Sequence, residues 1–176
     1  MIEDLFKWIN QSKITTIGYN HKTEYEKDLI LKKLKSYNIS EVYKDFNPKQ
    51  LIRDAKLNHI LNSDDYSNFF HLDINDIIIS NKNPIQRSLY IKEFLRNIRY
   101  KIDNFNFILT TKTYNTLNGE VALKSGISTI YSADLVFNLD DVKIKVTKNR
   151  YSCDNIDISL SELEKFNYLC NYEFNK

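Results

Sequence analysis

A chain of 176 residues with 42% hydrophobic and 27% charged side chains has the make-up of one globular domain and is too apolar for an intrinsically disordered segment. Its 25 basic and 23 acidic residues leave a formal charge of +2, which excludes nucleic-acid binding by bulk electrostatics and requires any such contact to come from a local patch. The two cysteines, Cys153 and Cys170, are too far apart for metal-ligand spacing and are expected to be free thiols; no apolar run has membrane-spanning length and the acidic start at Glu3-Asp4 has no signal core, so a cytoplasmic protein with no membrane partner is expected.

Residues 3–10 read as a short helix with Leu5, Trp8 and Ile9 on one side. Residues 13–17 are mostly β-branched and predict a strand, followed by a turn over 18–21. Thr23, with Glu24 and Glu26 at the positive end of the dipole, opens a helix to about Ser36. A second strand is expected over 41–46, and Pro48 opens a helix to about Leu61. Residues 66–72 are ambiguous, whereas Ile77, Ile78 and Ile79 have the continuous β-branched character of a buried strand. Asn83-Pro84 starts the clearest helix, 85–102, with Ile91, Leu95, Ile98 and Ile102 as its apolar stripe. Another buried strand covers 105–110, and Asn118-Gly119 with Ser125-Gly126 predicts a loop or hairpin over 114–127. Residues 134–139 form a strand and Asp140-Asp141 a turn. Val142, Ile144 and Val146 then alternate with Lys143, Lys145 and Thr147 as a half-exposed strand. One more strand is expected over 156–160. The alternation predicts an α/β domain with a mostly parallel central sheet and extra C-terminal strands at its edge. The predicted organisation is a helical segment over 1–12, a core over 13–160, and a helix or tail over 161–176.

Three segments carry a resemblance. Phe107-Ile108-Leu109-Thr110-Thr111-Lys112 is similar to a RecA-family strand ending in Asn-Gln. Ser125-Gly126 followed by Ser132-Ala133-Asp134-Leu135-Val136 resembles the stretch after that family's second DNA-binding loop. Val146-Thr147-Lys148-Asn149-Arg150 is similar to its Val-x-Lys-Asn-Arg strand end. In this order they resemble the RecA-like ATPase core of strand-exchange proteins, the KaiC group and DnaB-type helicases, over roughly residues 13–160. The resemblance implies a three-layer RecA-like core with helices on both faces and a role in DNA recombination, repair or replication.

Two motifs of that family are eroded. A phosphate-binding loop needs glycines, so that successive backbone N–H groups wrap the phosphate, and a lysine for charge. The equivalent stretch runs from Thr16 to Thr23 and keeps Lys22 and Thr23, with Thr16 and His21 in place of the glycines and Gly18 as the only glycine. The strand-end aspartate that holds magnesium falls on Ser80, because Ile77-Ile78-Ile79 is the better strand, and serine brings no charge; Asp73, after Phe69-Phe70-His71-Leu72, is the rival register. No cofactor is therefore expected, neither ATP nor magnesium.

Gly18, Lys22 and Thr23 are read as a remnant nucleotide site, or as a plain turn and helix cap. Lys148 and Arg150 share the strand parity of Ile144 and Val146. In the resembled family this pair reaches the nucleotide of a neighbouring subunit; the alternative is a strand end paired with Asp140, Asp141 or Asp154. Lys112, Tyr114, Lys124 and Ser125 offer charge, stacking and hydrogen bonding to nucleic acid, or form a solvent loop. Lys32, Lys33 and Lys35 read as a solvated face, and His21, His59 and His71 are too dispersed for a metal. The leading expectation is a catalytically degenerate RecA-like accessory factor. It would bind a RecA-type or DnaB-type ATPase, further copies of itself or single-stranded DNA. An atypical ATPase using Lys22 and Thr23, and a regulatory module with no nucleic-acid role, are the alternatives.

Overall fold

The computed structural model describes residues 1–38, 53, 69–76, 83–101, 105–152 and 156–173. Its strands are β1 (Ile14–Tyr19), β2 (Tyr37–Asn38), β3 (Phe69–Asp73), β4 (Asn106–Asn115), β5 (Val121–Leu123), β6 (Leu135–Leu139), β7 (Lys143–Asn149) and β8 (Asp157–Ser159). Its helices are α1 (Ile2–Gln11), α2 (Glu24–Lys33), α3 (Pro84–Lys101), α4 (Ile127–Ser132) and α5 (Leu160–Glu173). They form one mixed sheet in the order β2-β3-β4-β1-β6-β7-β8, with β5 paired to the far end of β4. The run β2-β3-β4-β1-β6 is parallel, while β7 and β8 extend its edge antiparallel. This is the mostly parallel sheet with added C-terminal strands that the alternation predicts.

The burial pattern explains the arrangement. All six residues of β1 are buried, as a central strand between two parallel neighbours requires. On one face Ile17, Ile108 and Phe137 pack with Leu5 and Ile9 of α1, Ile30 of α2 and Leu163 of α5. On the other, Ile14, Phe107, Leu109 and Val136 pack with Ile91, Phe94, Leu95 and Ile98 of α3. Alternate residues of each strand thus feed opposite apolar clusters, and helices lie against both faces. The terminal helices belong to the first cluster: Phe6 of α1 stacks on Phe166 of α5 with ring centroids 5.4 Å apart. At the start of α3, Asn83 Oδ1 accepts the Gln86 N–H at 2.9 Å, so the Asn-Pro signal is a side-chain cap followed by proline in the first turn.

Several expectations need correction. β1 continues through Gly18 to Tyr19, so the turn is 20–23 and not 18–21. The strand beside β4 is Phe69–Asp73, the rival register. The expected elements at 41–46, 48–61 and 77–79 lie outside the described residues, as does Ile102. Val142 is 71% exposed, because it stands in the turn before β7 and not on its buried face. The short helix α4 was not anticipated; six residues are too few to display a 3.6-residue period.

Candidate functional site

The carboxyl ends of β1, β3 and β4 meet at one edge of the sheet, where open α/β sheets place their ligands. After Tyr19 only residues 20–23 separate β1 from α2. Asn20 fills this turn from within. Its Oδ1 accepts the N–H groups of Lys22 at 2.8 Å and Thr23 at 3.2 Å, while Thr23 Oγ1 accepts the Asn20 N–H at 3.1 Å and donates to Leu139 O at 3.3 Å. The Asn20, Lys22 and Thr23 amides are thus bonded inside the turn and not turned toward a ligand. The Lys22 ammonium is paired with Asp141, whose hydrogen bond and charge raise the lysine pKa above its ordinary value and lower that of the aspartate. A cavity of about 350 Å³ beside the turn is lined by Asp140 and Asp141 together with Lys22 and Lys145, so its two carboxylates offset its two ammonium groups.

Gly18 is not a loop glycine. It lies in β1 between Thr111 and Asn138, where an added Cβ would stand 2.2 Å from Asn138 Oδ1 and 2.7 Å from Leu123 Cδ2. Its role is close packing. Thr16, the position aligned with the first consensus glycine, is likewise buried in the strand.

Across the edge, β3 ends in Asp73. The Tyr19 hydroxyl donates to Asp73 Oδ2 at 2.8 Å, and Asp73 Oδ1 accepts from the Asn75 backbone N–H at 2.9 Å and its side-chain amide at 2.7 Å. A carboxylate therefore does stand at the end of the strand beside β4, contrary to the expectation of an uncharged Ser80 there, and Ser80 itself lies outside the described residues. His71, on the same face, lies 2.9 Å from Thr110 Oγ1, and burial holds its imidazole neutral with a pKa lowered to about 4. The ammonium of Lys27 from α2 lies 4.5 Å from the centre of the Tyr19 ring. Tyr19, Lys27, His71 and Asp73 line a cavity of about 620 Å³ with Lys32, Lys35 and Lys112. Sequence reasoning passed over these buried groups; the one signal was Asp73 in its rival register. Among the described residues no three side chains gather to hold a metal ion, and no helix is long and apolar enough to cross a membrane.

The β4–β5 hairpin arises where β4 outruns the sheet. Thr113 pairs with Leu123 and Tyr114 with Ala122, and the Lys124 N–H donates to Lys112 O at 2.8 Å. Opposed residues of an antiparallel pair share a face, so Lys112, Tyr114 and Lys124 project together, all exposed. Ser125 does not join them. Its hydroxyl bonds Thr129 Oγ1 at 2.8 Å, and its N–H is held by Thr111 Oγ1.

Lys148 and Arg150 stand at the opposite edge, by the start of β1. A bulge in β7 pairs Val136 with Lys148 but Phe137 with Val146, skipping Thr147. This moves Lys148 off the face of Ile144 and Val146, against the parity expectation. Its ammonium donates to the Ile130 and Tyr131 carbonyls at the end of α4, at 2.8 and 3.0 Å; burial, then the nearby Arg150 charge, lowers its pKa. Among the described residues Arg150 pairs with Asp134 and not with Asp140 or Asp141, and Asp154 lies outside the described residues. No known family model matches the chain, and no curated protein resembles it closely enough to count as a relative.

Proposed function

We propose that this chain is a RecA-like protein that does not hydrolyse ATP and serves as an accessory factor in DNA recombination, repair or replication. The observation that carries the reading is the filled turn after β1. With the Lys22 and Thr23 amides bonded to Asn20 Oδ1 and the Lys22 ammonium paired with Asp141, two of the donors and the lysine that a phosphate loop would turn toward a triphosphate are engaged within the chain. The parallel sheet covered on both faces, the strand-end Asp73 and the three sequence segments support the RecA-like assignment, which rests on analogy of fold.

Work in this reading falls to the hairpin. Lys112 and Lys124 offer two cations to a phosphate backbone, and Tyr114 offers a ring for base stacking, a combination suited to single-stranded DNA without sequence preference. Lys148 and Arg150 stand at the far edge, where a RecA-type or DnaB-type ATPase or another copy of the chain would have to compete with the α4 carbonyls and Asp134 for them. Fluorescence anisotropy with labelled single-stranded DNA tests the DNA arm. Binding should weaken with salt, and replacing both lysines by alanine should reduce the slope of log affinity against log salt by about 1.4. Binding with an unchanged slope, or none at low salt, would remove the hairpin from the account.

A further inference from the structure

The cavity beside α2, about 620 Å³, has the size of a small-ligand site and a floor of buried polar groups. Tyr19, His71 and Asp73 are each less than a tenth exposed. Two carboxylates at the rim, Glu24 and Asp28, face Lys27 at 3.8 and 3.1 Å and so offset its charge. Lys32, Lys35 and Lys112 have no ion-pair partner among the described residues. Four ammonium groups, Lys27, Lys32, Lys35 and Lys112, thus face three carboxylates, Glu24, Asp28 and the floor's Asp73, and the three unpaired lysines leave a net positive charge.

Lys35 supplies an independent observation. Helix α2 closes with the Ser36 N–H donating to Leu31 O at 3.1 Å and the Lys35 N–H to Lys32 O at 3.0 Å, the paired bonds of a Schellman turn. The residue at that bend has φ +50°, a conformation glycine adopts freely and a residue with a Cβ does not. Lysine there works against the backbone, and strain of this kind gathers where a side chain has a task.

We propose that this cavity binds a small phosphate-bearing ligand, with the phosphate held by Lys32, Lys35 and Lys112 and the uncharged part set against Tyr19 and Leu31. The site is separate from the turn at Lys22 and does not require the function proposed above, although it shares Lys112 with the hairpin.

Lys35→Gly provides the test, because it removes the cation and relaxes the backbone together. Adenosine monophosphate and inorganic phosphate are titrated calorimetrically into the full chain, its Lys35→Gly variant and its Lys22→Ala variant. The expected result is saturable binding of the nucleotide by the wild type, unchanged in Lys22→Ala. Lys35→Gly should bind about tenfold more weakly while melting at a higher temperature. Inorganic phosphate binding with the same dependence on Lys35 would identify the phosphate alone as the recognised group. Absence of saturable binding of either probe, equal binding by Lys35→Gly, or a loss confined to Lys22→Ala would overturn the proposal.

Discussion

The Arg150 guanidinium lies 2.8 Å from Asp134 Oδ1, and that carboxylate, 2% exposed, also meets Arg99 at 2.9 Å. Its other oxygen accepts the backbone N–H groups of Lys13 and Ile14. One buried charge therefore ties α3, β7 and the start of β1 together. Removing it leaves two cations short of a partner, whereas removing Arg150 leaves Arg99 in place. Asp134→Asn is expected to cost about 3 kcal/mol, in the range for a broken buried pair, and Arg150→Ala, whose side chain is half exposed, about 1 kcal/mol. Urea denaturation of the two variants gives both values.

Gly18 gives a second expectation. A methyl group there meets three side chains in a central strand, so Gly18→Ala is expected to destabilise by roughly 2 kcal/mol through overpacking, with no φ strain involved. Combining it with Asn138→Ala removes the closest clash, at 2.2 Å, and should recover part of the loss. A double variant no more stable than the sum of the singles would show that Leu123 and Thr113 dominate.

His71 sets a pH dependence. Its folded pKa, about 4, lies below the ordinary 6.5 because burial disfavours the imidazolium; the Asp73 charge opposes that shift and Lys27 adds to it. Between those two values the unfolded chain holds a proton that the folded chain lacks. The stabilising contribution is complete above pH 6.5 and is lost as pH falls toward 4, a change on the order of 3 kcal/mol. Stability measured at pH 7 and pH 4.5 should differ less in His71→Gln than in the wild type.

Much of the architecture was legible because it rests on local signals. The β-branched run of β1, the apolar runs of β4 and β6, and the Asn-Pro start of α3 each declare their element. β3 was obscured because Phe69–Asp73 carries a buried histidine and a buried aspartate. These are satisfied by Thr110 and Tyr19, partners 39 and 54 residues away. The hairpin candidates came together because alternation on an antiparallel pair puts Lys112, Tyr114 and Lys124 on one face. The destination of Lys148 depended on a bulge at Thr147, and the strain at Lys35 on a backbone angle; neither has a one-residue signature.

The most direct test is a titration of magnesium-ATP, with phosphate release followed in parallel, on the wild type and Lys22→Ala. A turn whose Lys22 and Thr23 amides are held by Asn20 and whose lysine is held by Asp141 predicts superimposable binding curves and no hydrolysis by either protein. Tight binding or turnover in the wild type that disappears in Lys22→Ala would contradict the account.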